Sequence, residues 1–412
     1  MLFETAYTLL QVVQAVAHGV HAAEQAVRAG CGADPLDRLL PDVCEPFHDV
    51  ALFGLGHGHI VPGVLRARRT YAFGLLVLTA AIAVSAVEAR RSPLTVRVMT
   101  RNLYLGANLD AIVRAKSLPE ALTAVAAGWQ QVQANDFPTR AQAIIREITA
   151  AKPDFVGFQE AVLYRTQTPP DLTATPATTV ALDYVAELRK VLAARHLKYR
   201  FVGIGAWTDA ELPAGNPATM DIRITVRDAL LVRNARALKI LRVRKAQYAT
   251  TTSLFGGFVV AKRGYVYADA TMNGRTFRVA TTHLESFNDA SQVAQGHELA
   301  DVLGRGTVPT ILLGDLNSRA DGTGTPTHAD LLAAGFRDAW TEAHSGDVGL
   351  TCCHTDDLRE LGGPFYSRID YVLLKNGFRA VAAGIVGESP ADRINGLWPS
   401  DHAGVWARVR LR

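Results

Sequence analysis

Leu312-Leu313-Gly314-Asp315-Leu316-Asn317 is the stretch on which the reading of this chain turns. An apolar run reaches a glycine, then a carboxylate, then an amide two positions further on. On an extended backbone Asp315 and Asn317 project to the same side. The same grammar recurs along the chain. Val98-Met99-Thr100-Arg101-Asn102 ends in an amide, and Val156-Gly157-Phe158-Gln159-Glu160 in a carboxylate. Thr281-Thr282-His283-Leu284-Glu285 ends in an imidazole. Arg368-Ile369-Asp370-Tyr371 and Ser400-Asp401-His402 add two carboxylates and a second histidine. Taken singly, each is an ordinary strand end, because Asp and Asn favour turns. Their co-occurrence is what carries meaning.

The side chains so placed cover three chemical needs. Oxygen donors such as Asn102, Glu160 and Asp401 suit a hard cation, Mg²⁺ above all, with Mn²⁺ or Ca²⁺ as substitutes. A histidine beside a separate aspartate can be held in one tautomer and used to move protons. Asp315 could orient an attacking water, while Asn317 and His283 could donate to the oxygens of a pentacoordinate phosphorus. Cation, proton carrier and oxyanion donors together are what hydrolysis of a phosphate ester requires.

In this order the set resembles the endonuclease/exonuclease/phosphatase superfamily, over roughly Thr95 to Arg412. Gly314-Asp315-Leu316-Asn317 and Ser400-Asp401-His402 are the most specific elements. The resemblance implies an α/β fold, a four-layer α-β-β-α sandwich of two mostly antiparallel sheets flanked by helices. It implies Glu160 as principal metal ligand, with Asn102 and Asp401 in or near the metal shell. Asp370 would orient His402, Asp315 and Asn317 would position the nucleophile and the phosphate, and His283 would bind the scissile phosphate. His283 points to the deoxyribonuclease, sphingomyelinase and phosphatase branches over the apurinic endonuclease branch. The expected activity is that of an exported or membrane-anchored Mg-dependent phosphodiesterase on nucleic acid, phospholipid or a small phosphodiester. A phosphomonoesterase on a phosphorylated sugar or inositol is the alternative, and a membrane-tethered module without turnover is the non-enzyme rival. A monomer is expected.

Further out, the bulk numbers agree with a globular enzyme. Hydrophobic residues make up 49% and charged residues 20% of 412 positions, enough apolar material to bury a core. The net charge of +4 tolerates a polyanionic substrate without demanding one. Four cysteines, none in a Cys-x-x-Cys spacing, argue against a thiolate zinc site. The adjacent Cys352 and Cys353 suit either a vicinal disulfide or two packed thiols. Ser400, Asp401 and His402 do not form a serine-hydrolase triad, since neighbours on an extended chain face opposite ways and no Gly-x-Ser-x-Gly elbow is present.

Short β-like runs recur from Thr95 onward: Thr95–Leu103, Phe155–Gln159, Arg200–Ile204, Ala229–Val232, Gly257–Ala270, Arg275–His283, Thr310–Gly314, Ile369–Leu374 and Ala403–Leu411. Helical spacing marks Arg140–Ala151, Ala181–Arg195, Ser291–Leu303 and Thr327–Ala334. Strands outnumber helices and short turns such as Asn273-Gly274 join them, which predicts antiparallel sheets packed face to face. Gly106–Pro138 and Val162–Arg223 read as long elaborations. Arg223, Arg227, Arg233, Arg236, Arg242, Arg244 and Lys245 give some support to a basic groove, although charges alternating on strands usually face solvent.

The N-terminal region speaks about compartment. Arg66, Arg68 and Arg69 precede an apolar run of 17 residues, Tyr71 to Val87, followed by small residues. That is the pattern of a secretory signal, short for a membrane anchor but long enough to serve as one. Three domains are therefore expected: an extension over 1–65 that suits a start placed too early, a signal or anchor over 66–92 and a catalytic domain over 93–412. The setting would be secreted, periplasmic or tethered through residues 71–87. His18, His21, His57 and His59 fit a helix face and a flexible loop better than a metal tract.

Overall fold

The computed structural model describes residues 93–411, apart from 173, 255–256, 258 and 363–364. The extension, the signal segment and His18, His21, His57 and His59 lie outside the described residues. Among those described, no helix is long and apolar enough to cross a membrane.

Two large sheets carry the fold. The first contains β1 (Leu94–Asn102), β2 (Phe155–Gln159), β3 (Leu163–Gln167), β4 (Thr179–Asp183), β5 (Tyr199–Ala214) and β6 (Met220–Arg233), closed by β15 (Phe378–Val386) and β16 (Gly404–Leu411). Its order is β15-β16-β1-β2-β6-β3-β4, with β5 along the other edge of β6. Strand β6 is long enough to pair with β2 through Ala229–Val232 and with β3 through Asp221–Thr225. The C-terminal strand β16 sits between β15 and β1. The second sheet runs β13 (Arg337–Asp338), β14 (Asp370–Lys375), β12 (Thr310–Asp315), β11 (Arg275–His283), β10 (Gly264–Met272), β7 (Leu238–Gln247). A small ribbon pairs β8 (Thr252–Leu254) with β9 (Val259–Ala261).

Alternation on the strands builds the layers. Val96 and Val98 of β1 and Phe155 of β2 face Phe277, Val279, Ile311 and Leu313 of the second sheet, all buried. Phe155 meets Phe277 edge to face at 5.8 Å between ring centres. Gly157 marks a close approach of the sheets: a Cβ there would stand 2.5 Å from Thr281 Oγ1 and 3.0 Å from Leu313 Cβ. The other face of the first sheet is covered by α1 (Asp110–Val113), α2 (Leu118–Ala134), α3 (Phe137–Ala151) and α4 (Tyr184–Ala194). The other face of the second is covered by α5 (Asp289–Gly304) and α6 (Thr327–Ala333), through Leu299, Leu303 and Leu331. A short α7 (Ala339–Ala343) adds Trp340 to the central layer. The result is the expected four-layer sandwich.

Local chemistry sets the helix starts. Asp136 accepts from Thr139 N ahead of α3, Asp183 from Val185 N and Ala186 N ahead of α4, and Asn288 from Ser291 N ahead of α5. Asn273 and Gly274 both take positive φ and turn β10 into β11, as the Asn-Gly pair predicts.

Several expectations need correction. Gly106–Pro138 is not a loose elaboration but holds α1 and α2. Its signal was present in Ser117-Leu118-Pro119-Glu120, where Ser117 caps the helix by accepting from Glu120 N. Val162–Arg223 likewise holds β3, β4, α4 and β5, so both segments are integral layers. Strands β7 and β15 were not anticipated, and Gly257–Ala270 splits into β9 and β10. Of the basic series, Arg223, Arg227, Arg233 and Arg242 pair with Asp209, Asp183, Asp154 and Asp269.

Candidate active site

Strand ends from both sheets meet at one edge of the sandwich. In the first sheet the β1–β2 register sets Asn102 beside Gln159, with Glu160 next along. In the second, His283 of β11 stands beside Asp315 of β12, and Asp315 opposite Asp370 of β14. A buried polar chain ties the sheets just below: Thr100 Oγ1 donates to Gln159 Oε1 at 3.1 Å, and Gln159 Nε2 to Thr281 Oγ1 at 2.9 Å.

All eight predicted residues come together here. Asn102 Nδ2 donates to Asp315 Oδ2 at 3.0 Å and approaches Glu160 Oε1 at 3.3 Å, so the amide bridges carboxylates from the two sheets. Glu160 takes positive φ after its strand and accepts from Leu105 N at 2.6 Å. Asp370 Oδ2 accepts from His402 Nδ1 at 2.8 Å and from Thr351 Oγ1 at 2.7 Å. His402 Nδ1 lies 3.8 Å from Asp315 and its Nε2 lies 4.0 Å from Asp401. Ser400 Oγ donates to the Asn102 carbonyl at 2.9 Å, which pins this last loop to β1.

One geometric expectation changes. Asp315 and Asn317 do not share a strand face, because β12 ends at Asp315 and Asn317 turns to positive φ. Asn317 instead folds back: its N–H donates to Asp315 Oδ1 at 2.9 Å and its Nδ2 to the Leu284 carbonyl at 3.0 Å.

Arg263 was not among the predicted site residues. Its Nη1 lies 2.9 Å from His283 Nδ1. A guanidinium can only donate, so Nδ1 accepts, while Nε2 lies 3.1 Å from Asn317 Nδ2 and 3.6 Å from Asp315 Oδ2. Arg263 is positioned by Gly264, where a Cβ would run within 2.5 Å of the Ala246 carbonyl. The sequence signal was Arg-Gly opening a strand whose first residue pairs with His283. Arg101 and Arg140 brace the site from beneath. Arg101 makes two bonds to Glu147, at 3.0 and 2.9 Å, and donates to the His402 carbonyl. Arg140 donates to the carbonyls of Leu103, Tyr104 and Pro399.

The protonation states follow from burial and neighbours. Burial pushes Asp315 up to about 7, with the Asp370 charge adding and His402 opposing. Burial likewise raises Asp401 to about 6, with His402 opposing and the Glu160 charge adding. Burial alone would lower His402, but Asp370, Asp401 and Asp315 outweigh it and hold the imidazolium well above the usual histidine range. His283 goes the other way: burial, then Arg263 and His402, keep it neutral. One histidine is a cation and the other is neutral.

Four carboxylates thus converge on one edge with the His402 cation among them, while Arg263 reaches the cluster only through His283 and lies 3.7 Å from Glu285. A donor set with that surplus of negative oxygen fits a divalent cation. Glu160 and Asp401 face the same cavity, and the Glu160 charge adds to the burial that raises Asp401. Asp315, Asp370 and His402 also offer ligand atoms within 4.8 Å of one another. Asp370, however, is already engaged by His402 and Thr351, so Glu160 with Asp401 is the better cation pair. Nearby, Cys352 and Cys353 are bonded to each other, and the Cys352 backbone bridges to Ser367 and His402.

Comparison with known proteins meets this geometry. No curated protein matches the sequence. An endonuclease/exonuclease/phosphatase family protein from Bacteroides thetaiotaomicron superposes with TM-score 0.51 at 15% identity, covering 78% of this chain and 96% of that one. A mannosyl-6-phosphatase of the same organism follows at TM-score 0.48, 16% identity and coverages of 76% and 99%. TDP2 of D. rerio, complexed with a single-strand DNA product, gives 0.47, 15%, 76% and 98%. The sequence itself matches the Endonuclease/Exonuclease/phosphatase family over residues 127–402, and the chain belongs to that family.

Proposed function

We propose that the chain is an exported or membrane-anchored, Mg²⁺-dependent phosphodiesterase. The observation that supports this most is the meeting of Glu160, Asp315, Asp370 and Asp401 with one cationic and one neutral histidine at a single strand-end edge. A divalent cation held by Glu160 and Asp401, with Asn102 alongside, would polarise a phosphoryl oxygen and offset charge on the phosphorus. Asp315, poised near neutrality, orients the attacking water and takes its proton. His402, fixed through Nδ1 by Asp370, presents a positive N–H to the equatorial oxygens. Neutral His283 faces the scissile phosphate, and Asn317 holds Asp315 in place by its backbone N–H. Water oxygen bonds to phosphorus, one P–O ester bond breaks, and the alcohol leaves with a proton.

The test is turnover of a bis-aryl phosphodiester by the full chain with and without Mg²⁺, with DNA, sphingomyelin and inositol phosphates in parallel. Glu160→Gln should lower kcat by at least about a hundredfold and weaken Mg²⁺ binding measured calorimetrically. Absence of any metal-dependent hydrolysis, or unchanged Mg²⁺ affinity in that variant, counts against the assignment.

A further inference from the structure

A cavity of about 670 Å³ opens directly beside the carboxylates, with Glu160, Asp401 and Arg263 at its polar end. Away from that end its walls are apolar. Ile112, Val125 and Trp129 come from α1 and α2 on one side, and Ile222, Ile224 and Val226 from β6 on the other. The β6 residues alternate with Arg223 and Thr225, which turn to the opposite face and bond Asp209. Strand β6 therefore shows the cavity an unbroken apolar stripe. Trp129, Ile224 and Val226 pack against the core yet remain only half-buried, so their apolar surface faces open space. Filling that space with hydrocarbon removes apolar surface from water on both sides.

Charge decides against a polyanionic occupant. Asp110, Glu160, Asp356 and Asp401 line the cavity, against Arg263 alone among lysines and arginines. A cation at Glu160 and Asp401 would accommodate one phosphate, but the cavity's other charged lining groups, Asp110 (paired with Arg114) and Asp356, offer a second phosphate no cation. On β6 and β7, Arg223, Arg227, Arg233 and Arg242 are occupied in ion pairs, and no lysine or arginine of either strand lines the cavity. A methylene fills about as much room as a water molecule, roughly 30 Å³, so the volume holds one chain on the order of twenty carbons.

We infer that this cavity binds the hydrocarbon chain of the substrate, which makes the substrate a lipid-type alkyl phosphodiester. The inference rests on the phosphodiesterase reading of the same site and names its substrate class. The phosphate sits at Glu160, His283 and His402, and the chain lies between α2 and β6. The chain stays on the phosphate, and the second ester group leaves outward as the alcohol.

Two readouts separate this from the parent reading. The full chain with Mg²⁺ is assayed on p-nitrophenyl alkyl phosphates from methyl to dodecyl, below their micelle concentrations. KM should fall about fourfold per added methylene until the cavity is full, with a smaller effect on kcat. Ile224→Trp, which fills the cavity, should collapse the dodecyl-to-methyl ratio of kcat/KM towards one. Independently of turnover, a terminally brominated dodecyl phosphate should quench tryptophan emission, and Trp129→Phe should remove that quenching. Turnover with a flat KM series, or quenching that survives Trp129→Phe, overturns the inference and spares the phosphodiesterase reading. Chain-dependent quenching without hydrolysis of any ester upholds the cavity and overturns the phosphodiesterase reading.

Discussion

His402 carries the heaviest electrostatic load among the site's residues. Three carboxylates hold its proton, and its charge in turn lowers Asp315, which burial has raised to about 7. If Asp315 is the base, kcat/KM rises with pH through a limb set by its deprotonation. His402→Gln removes the positive charge, so the limb should move to higher pH while kcat falls by about 10² to 10⁴. A pH–rate profile of both proteins at the same Mg²⁺ concentration checks this, and an unmoved limb would reassign the base. At this scale the sequence was most legible, because Asn102, Glu160, His283 and Asp315 end or follow a strand, Asp370 opens one and His402 closely precedes one. Arg263 was hidden because its role depends on standing beside His283 across β10 and β11, a neighbour twenty positions away in the chain.

At the scale of elements, β6 shows what patterning can and cannot reveal. Ala229–Val232 was readable as a strand because it is continuously apolar. Residues 220–228 mix Asp, Arg and Thr with Ile and Val, and only the paired Asp and Arg side chains make that strand affordable in a buried sheet. Asp228 is the extreme case. It is fully buried with one bond, from Trp207 Nε1 at 2.7 Å, and burial pushes its pKa up to about 8. The folded chain therefore keeps a proton that the unfolded chain loses near pH 4. Between those values the native state binds more protons than the unfolded one, so stability falls as pH rises through that window. The loss is on the order of a few kcal/mol. Asp228→Asn, neutral at every pH, should flatten the slope. Thermal melts of both proteins at about pH 6 and about pH 9, without divalent cation, read it out, and parallel slopes would refute the assignment.

For the whole molecule, the spacing of the two sheets is the controlling dimension. Asn102 reaches Asp315 across it, and Gly157 keeps it short. Gly157→Val should push Thr281 and Leu313 away, at a cost of about 1–3 kcal/mol. It should also cut kcat more than the partial loss of folded protein explains, since the Asn102–Asp315 bond stretches with the gap. Active-site titration beside circular dichroism separates the two effects. An active fraction that tracks the folded fraction would place the sheet spacing outside catalysis. The four-layer architecture followed from family resemblance and from the excess of strands. The placement of α2 against β5 and β6, and with it the cavity, did not, because a cavity is a property of surfaces that fail to touch.

Strand β16 has a consequence of its own for the order of events in time. It lies inside the first sheet, between β15 and β1, although it is made after every other described strand. Until the ribosome releases residues 404–411, β1 has an open edge and β15 has no partner, so His402 has no frame to sit in. This sheet cannot close before residues 404–411 have been made. A chain shortened by that final strand should emerge as a sticky, inactive product with a bare apolar edge rather than as a slightly weakened enzyme.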